Sequence, residues 1–135
     1  MTFLLVEDDL LLAKGTAKLI EKLSGTEVIT SSDPEEIVSL CCAGKVDLVI
    51  MDVNLPGAKL NGKNVSGADL SKHLKTVQAT SHIPIVLLTA YAMEYERESL
   101  MAVSKADGFW AKPITDYDKF ISSLTELSTQ RSQSL

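Results

Sequence analysis

The stretch Asp47-Leu48-Val49-Ile50-Met51-Asp52 decides the fold of this chain, because it is an apolar run that ends in an acid. Phe3–Val6 and Ile85–Leu88 are also apolar throughout, whereas Glu27–Thr30 and Gly108–Ala111 are mixed. Continuous apolar runs of this length are typical of strands that are covered on both faces of a sheet. We therefore predict five short strands.

Segments with helical spacing separate the predicted strands. The first carries an apolar stripe formed by Leu10, Ala13, Ala17 and Ile20, widened by Leu12, Thr16, Leu19 and Leu23. Three capping patterns predict further helix starts: Asp33-Pro34-Glu35-Glu36, Ser66-x-x-Asp69 and Thr115-x-x-Asp118. The thin stripe of Met93–Lys105 predicts a weakly anchored helix. This alternation of strand and helix predicts an α/β fold, a five-stranded parallel sheet with helices on both faces.

Length and composition predict a single domain. Residues 1–128 are expected to form it, and the polar residues 129–135 to form a flexible C-terminal tail. A formal net charge of −5 counts against a dedicated nucleic-acid binder. We expect no membrane span, no signal peptide and a cytoplasmic location. Adjacent Cys41 and Cys42 suit neither a disulfide framework nor a CxxC metal site, so reduced, buried thiols are expected.

Polar side chains follow the predicted strands at the edge where open parallel sheets bind ligands. They are Glu7, Asp8 and Asp9 after the first strand, Asp52 after the third, Thr89 after the fourth and Lys112 after the fifth. Grouped carboxylates need a cation, and few hard oxygen ligands suit Mg²⁺. An aspartate beside Mg²⁺ can act as a nucleophile, and a lysine can hold the incoming anion. Together these residues predict metal-assisted phosphoryl transfer onto Asp52.

Each of these residues taken alone also has a purely structural interpretation. Asp8 or Asp9 is suited to cap the first helix, Thr89 to end a strand in solvent, and Lys112 to lie on the surface. The joint occurrence of all of them at one sheet edge favours the functional interpretation.

Four motifs resemble the receiver domains of two-component response regulators, of the type seen in chemotaxis regulators. They are Leu4-Leu5-Val6-Glu7-Asp8-Asp9, Asp47–Pro56, Ile83–Ala90 and Gly108-Phe109-Trp110-Ala111-Lys112-Pro113. The resemblance extends from Phe3 to about Leu127. It implies a flavodoxin-like sheet of order 2-1-3-4-5, with the site between strands one and three.

The resemblance also implies a role for each site residue. Asp52 is the expected phospho-acceptor, and Lys112, before a cis proline, is expected to pair with the phosphoryl group. The implied ligands of Mg²⁺, with Mn²⁺ as an alternative ion, are Glu7, Asp8, Asp52 and the main-chain carbonyl of Asn54. Asp9 competes with Glu7 for the second acid position. Thr89 and Phe109 are the expected switch residues, and Asn54 and Tyr91 are expected to tune dephosphorylation.

The implied function is a signalling switch rather than an enzyme with an external product. A sensor histidine kinase or a histidine-containing phosphotransfer protein would donate the phosphoryl group. Partner binding would change at the face formed by helix 4, strand 5 and helix 5. We expect no direct nucleic-acid or membrane partner, and a monomer or a weak dimer that depends on phosphorylation.

Three other functions were compatible with parts of the pattern. A haloacid-dehalogenase-type phosphatase needs a second aspartate at the position of Asn54. An FMN carrier needs a phosphate-binding loop where the acids Glu7, Asp8 and Asp9 stand. A pseudo-receiver that only binds partners would not need the complete set of acids, Thr89 and Lys112.

One loop departs from the family pattern. The family usually has a glycine shortly after the loop proline, whereas Leu60 occupies that position here and Gly67 fits the start of the next helix. The inserted segment Gly57–Asn64 is rich in turn formers. It is expected to touch a partner, to cover the site, or to be a passive surface insertion.

Overall fold

The computed structural model describes residues 1–90 and 94–133. Strands and helices alternate along the chain. In order, they are β1 (Thr2–Val6), α1 (Leu10–Ser24), β2 (Glu27–Ser31), α2 (Pro34–Cys42), β3 (Leu48–Asp52), β4 (Lys59–Leu60), β5 (Lys63–Asn64), α3 (Gly67–Thr76), β6 (Ile85–Thr89), α4 (Glu94–Ser104), β7 (Gly108–Ala111) and α5 (Tyr117–Gln133). No helix in the described ranges has the length and apolar character that a bilayer span needs.

Five of the strands form one parallel sheet of order β2-β1-β3-β6-β7. This is the flavodoxin-like order that the resemblance implies, so the predicted fold is confirmed. The register places Val6 opposite Met51, Asp52 opposite Leu88 and Thr89 opposite Ala111. Because all five strands run the same way, their carboxyl ends meet at one edge.

The strands alternate their side chains between two apolar layers. The layer toward α2 and α3 contains Leu4, Val6, Val49, Met51, Ile85 and Leu87 from the strands. The layer toward α1 and α5 contains Phe3, Leu5, Leu48, Ile50, Val86 and Leu88. Both faces of the sheet are therefore covered, which explains why the central strands read as continuous apolar runs.

Three of the predicted helix starts are in place. Asp9 caps α1 through a hydrogen bond from the Leu12 amide to its Oδ1 at 3.1 Å, and Asp33 caps α2. Ser66 and Asp69 form a reciprocal capping box at α3. These caps satisfy amide groups that have no partner within the helix.

The predicted capping box at Thr115 and Asp118 is wrong. Asp116 caps α5 instead, because its Oδ1 accepts a hydrogen bond from the Lys119 amide at 3.0 Å. The amide of Phe120 then donates to the Asp116 carbonyl, the first helical bond. The cap therefore serves the Lys119 amide, one residue beyond the Asp118 amide that a cap at Thr115 would serve.

Some predicted burials are also wrong. Of the predicted apolar stripe on α1, Ala13, Ala17 and Ile20 are buried. The four leucines Leu10, Leu12, Leu19 and Leu23 are exposed, Leu10 by 78%, so the buried face of α1 is narrower than predicted. Cys41 is buried, as expected, whereas Cys42 at the last position of α2 is exposed. Successive helical residues point about 100° apart, and this rotation turns Cys42 away from the face of α2 that buries Cys41.

The last helix continues beyond the predicted domain boundary at residue 128. It runs to Gln133, and the hydroxyls of Thr125, Ser128 and Thr129 donate to carbonyls one turn earlier. These three hydroxyls are thus satisfied within the helix itself. The division at residue 128 stays a prediction.

The inserted segment forms a small β-hairpin. β4 and β5 pair antiparallel around Asn61 and Gly62, both of which have positive φ angles, 54° and 78°. Two positive angles are the requirement of a type I′ turn, which Asn-Gly meets best. The Asn61 amide donates to Glu35 Oε1 on α2 at 3.0 Å, and Leu60 packs against the α2 layer. The hairpin therefore leans on α2.

The cap of α5 supplies the first prediction. Asp116→Ala should lower the free energy of unfolding by about 1 kcal/mol, because the Lys119 amide loses its partner. Thr115→Ala is the matched control and should change it by less than roughly 0.5 kcal/mol. Urea unfolding followed by circular dichroism measures both values. A larger loss for Thr115→Ala than for Asp116→Ala would restore the capping box predicted from sequence.

Candidate functional site

The carboxyl ends of four strands bring the predicted site residues together. Glu7 and Asp8 follow β1, Asp52 ends β3, and Thr89 ends β6. Lys112 follows β7, and its backbone amide donates to the Thr89 carbonyl at 2.9 Å. This bond continues the pairing of β6 with β7 and fixes where the Lys112 side chain leaves the sheet.

Lys112 bridges two acids that belong to different strands. Its Nζ lies 2.9 Å from Glu7 Oε1 and 2.9 Å from Asp52 Oδ2. Both carboxylate side chains are less than a tenth exposed, whereas the Lys112 side chain is about a quarter exposed. Charge-assisted hydrogen bonds of this length are the stronger ones in proteins, so the three groups form one unit.

Burial and the lysine shift the pKa values of this unit in opposite directions. Burial raises the pKa of Asp52, and the hydrogen bond from Lys112 opposes that rise only in part. Burial would also raise the pKa of Glu7, but hydrogen bonds from Lys112 and the Asp9 amide bring it below its ordinary value. Burial lowers the pKa of Lys112, but the two carboxylates raise it by more, so the pKa ends above its usual range. Lys112 therefore stays charged at neutral pH.

Asp8 completes a group of three acids. One carboxylate oxygen each of Glu7, Asp8 and Asp52 lies within 4.8 Å of the others. Burial and the neighbouring Glu7 raise the pKa of Asp8. Hard oxygen donors this close together fit a divalent cation such as Mg²⁺, which would relieve their mutual repulsion. Asp9 has a different role, since its side chain caps α1.

The acids and Lys112 line a surface cavity of about 300 Å³. The lining residues are Glu7, Asp8, Asp9, Leu12, Asp52, Asn54, Thr89, Ala90 and Lys112. The Asn54 amide donates to Asp52 Oδ1 at 3.3 Å, so Asn54 also restrains the Asp52 side chain. Residues 59–64 of the hairpin are not among the lining residues. Tyr91, the other residue predicted to tune dephosphorylation, lies outside the described residues.

Phe109 lies on β7, away from the acids, and is half-buried against the α2–α3 layer. The Arg97 guanidinium of α4 stands over its ring, 4.8 Å from the centroid. Trp110, the next residue, packs in the opposite layer and meets Phe120 edge to face at 5.2 Å. The strand thus contacts α4 through one aromatic residue and α5 through the other.

Gly67 is a positioning residue that the sequence indicated only through its match to a family glycine. A Cβ at Gly67 would fall directly on the Asp52 carbonyl oxygen and within 2.8 Å of the Val53 Cα. The Gly67 amide donates to the Val53 carbonyl at 2.8 Å. The first turn of α3 therefore rests on the backbone of Asp52 and Val53, and only glycine permits that approach.

Comparisons with known proteins agree with this geometry. A family model described as the response regulator receiver domain matches residues 3–124. The polar-differentiation response regulator DivK of Brucella anthropi is 33% identical over 112 residues, which is 83% of this chain and 84% of that protein.

Solved structures show the same fold. The signal receiver domain of a signal transduction histidine kinase from Syntrophus aciditrophicus has a TM-score of 0.78 at 26% identity, over 96% of this chain and 90% of that one. The receiver domain of the sensor histidine kinase PA1611 from Pseudomonas aeruginosa has a TM-score of 0.70 at 21% identity, over 96% and 94% of the two chains. That structure contains a magnesium ion coordinated in the active site cleft.

The contact of α3 with the backbone of Asp52 and Val53 gives a second prediction. Gly67→Ala should lower the free energy of unfolding by at least about 2 kcal/mol, since the added methyl group meets backbone that cannot move aside cheaply. Gly15→Ala is the matched control. A Cβ at Gly15 meets nothing within 4 Å, so this helical substitution should raise stability by up to about 1 kcal/mol. Equal effects in urea unfolding would show that α3 does not press on Asp52.

Lys112 gives a prediction about pH. Without its cation, burial raises the pKa of both Glu7 and Asp52, so the folded state binds protons more tightly than the unfolded chain. At pH 7 and without metal, Lys112→Met should lower the free energy of unfolding by roughly 2–3 kcal/mol. This gap, the difference in unfolding free energy between wild type and variant, should narrow as the pH falls.

Unfolding curves between about pH 5 and pH 8 in a chelator measure this gap. In wild type the lowered pKa of Glu7 contributes stability that is lost only below the ordinary carboxyl pKa of 4.5, under this pH range, so it leaves the difference unchanged here. Lys72→Met, an exposed change on α3, is the control and should keep a constant difference. A gap that widens on acidification would contradict the assigned directions.

Proposed function

We propose a phosphorylation switch for this chain, which belongs to the response regulator receiver domain family. Asp52 accepts a phosphoryl group from a sensor histidine kinase or a histidine-containing phosphotransfer protein. The chain catalyses its own phosphorylation and dephosphorylation and no other reaction. The observation that carries the proposal is the bridge of Lys112 between Asp52 and Glu7 at 2.9 Å each.

This bridge is suited to an acyl phosphate. The Lys112 ammonium is placed within hydrogen-bond distance of the acceptor carboxylate, so it can pair with oxygens of an incoming phosphoryl group. Thr89, buried at the adjacent strand end and lining the same cavity, supplies a hydroxyl to that group. Ala90 leaves the approach open because its side chain is a single methyl group. The Asp52 oxygen then attacks phosphorus while the donor's leaving group departs with its electron pair.

Magnesium is the proposed cofactor, with Mn²⁺ as a possible substitute. Glu7, Asp8 and Asp52 would hold it together with the Asn54 carbonyl, and the ion would supply charge neutralisation for the transferred phosphoryl group. The closeness of the three acid side chains supports this donor set. The magnesium ion in the PA1611 receiver domain supports the choice of metal.

Phosphorylation is proposed to change partner binding at the face formed by α4, β7 and α5. A phosphoryl group on Asp52 draws the Thr89 hydroxyl inward, and the space it leaves is taken up by Phe109 on the neighbouring strand. The Arg97 contact at Phe109 transmits this change to α4. Among residues 96–104, Ser104 alone is buried, so α4 is held loosely and responds to a small free energy.

The lifetime of the acyl phosphate is proposed to depend on Asn54 and Tyr91. In this family the residues at these two positions flank the path of the attacking water. Asn54 lines the acid cavity and is exposed, which supports its half of the proposal.

Phosphorylation is tested with a small phosphodonor. Incubation with Mg²⁺ and acetyl phosphate should raise the intact mass by one phosphoryl group, and Asp52→Ala should abolish the gain. Asp8→Asn should slow loading at least tenfold, because it removes one of the few carboxylates available to the ion.

Asp9→Asn is the matched control for Asp8→Asn. An asparagine still caps α1, so loading should stay close to the wild-type rate. Undiminished loading of the Asp52→Ala variant would move the acceptor to another residue and overturn the proposal. Slow loading in Asp9→Asn with normal loading in Asp8→Asn would exchange their roles.

Output is tested through Thr89. Thr89→Ala should still accept the phosphoryl group at Asp52 but lose most of the coupling to α4, a free energy on the order of 1–3 kcal/mol. Amide chemical shifts of residues 94–104, compared before and after loading, measure the coupling. Shifts in Thr89→Ala as large as those in wild type would contradict the proposed route.

A further inference from the structure

A second, apolar groove adjoins the acid cavity. It has a volume of about 360 Å³ and lies between α1 and the segment that joins β7 to α5. Its apolar walls include Leu5, Leu12, Leu88, Ile114 and Tyr117. A groove of this size is within the range of small-molecule sites.

The groove and the acid cavity share one boundary. Glu7, Leu12, Ala90 and Lys112 line both of them, so the two spaces meet beside the acceptor. The shared end carries the Lys112 ammonium, and the remainder is almost entirely hydrocarbon. An anionic head at the lysine and an apolar body in the groove would therefore both meet a complementary surface.

We propose that this groove receives the apolar part of a small-molecule phosphodonor, an acyl phosphate with an aromatic or branched acyl group. The proposal rests on the proposed role of Asp52 as acceptor and adds the class of donor. The Asp52 carboxylate oxygen forms a bond to phosphorus while the bond from phosphorus to the acyl oxygen breaks. The acyl group leaves as a carboxylate with that electron pair, and no proton is transferred. The phosphoryl group is positioned by Lys112 and the acyl group by the groove.

Benzoyl phosphate and acetyl phosphate provide the test, because they carry the same reactive group on bodies of different size. With Mg²⁺ present, intact-mass time courses give a second-order rate constant for each donor. The readout is the ratio of the constant for benzoyl phosphate to that for acetyl phosphate, divided by the ratio of their hydrolysis rates in buffer, which cancels the intrinsic reactivity of each donor. We expect this normalised ratio to be roughly ten.

Thr16→Phe is the groove-filling variant, since half-buried Thr16 lines the groove but not the acid cavity. It should return the ratio to about one while acetyl phosphate loading stays within about twofold. Leu23→Phe is the control, an exposed change on the same helix that lines neither space and should keep the ratio. Ile114→Ser, which makes the opposite wall polar, should lower the ratio independently if Thr16→Phe does not fold.

The contrary results distinguish a failure of the groove proposal from a failure of the proposed function. A wild-type ratio near one, or a preference that survives both groove variants, overturns the proposal while leaving acetyl phosphate loading of Asp52 intact. Loading by neither donor overturns the proposed function itself. If Thr16→Phe leaves both rates unchanged but abolishes self-association in sedimentation velocity, the groove seats a second copy and the proposal is wrong.

Discussion

Carboxylates crowded at one sheet edge are the constraint on which the rest of this structure depends. The parallel register brings Glu7 and Asp52 together from β1 and β3 whether or not their charges are compatible. Lys112 resolves the conflict by bridging both. The Lys112 ammonium comes from the end of a third strand. It therefore compensates both carboxylates only when β1, β3 and β7 are all in register.

The position of Lys112 depends in turn on main-chain bonds. Its amide donates to the Thr89 carbonyl, so the strand that carries the hydroxyl and the strand that carries the ammonium are joined at their ends. From the other side, the first turn of α3 fixes the backbone after Asp52 through Gly67. Backbone bonds at the strand ends therefore hold the site side chains in place, which keeps the site preorganised.

The sequence predicts the main sheet and the polar residues that meet at its edge, for a physical reason. Runs such as Leu48–Met51 are buried on both faces of the sheet, so their composition is determined by their location, and the polar residue that ends each run marks the sheet edge. The sequence leaves Asp9 as an alternative to Glu7 for the second acid, and either Asp8 or Asp9 as the cap of the first helix. In the structure Asp9 caps α1, whereas Glu7, Asp8 and Asp52 form the group of three acids.

Other features depend on contacts that no local pattern encodes. The cap at Asp116 differs from its prediction by one residue, which periodicity cannot resolve. The exposure of Leu10 and three further leucines of α1 shows that the buried face of this helix is set by its packing and not by the hydrophobicity of its residues. The clash that a Cβ at Gly67 would cause joins residues far apart in the chain, and Arg97 meets Phe109 only after α4 packs beside β7.

The hydrogen bond from Gly67 to Val53 has a consequence for how this protein can diverge. It closes the base of the loop that carries the hairpin. The tip has its own anchor, since the Asn61 amide donates to Glu35 on α2. A longer tip would have to keep or replace that contact, whereas the bond between Val53 and Gly67 would still hold the backbone beside Asp52 in place.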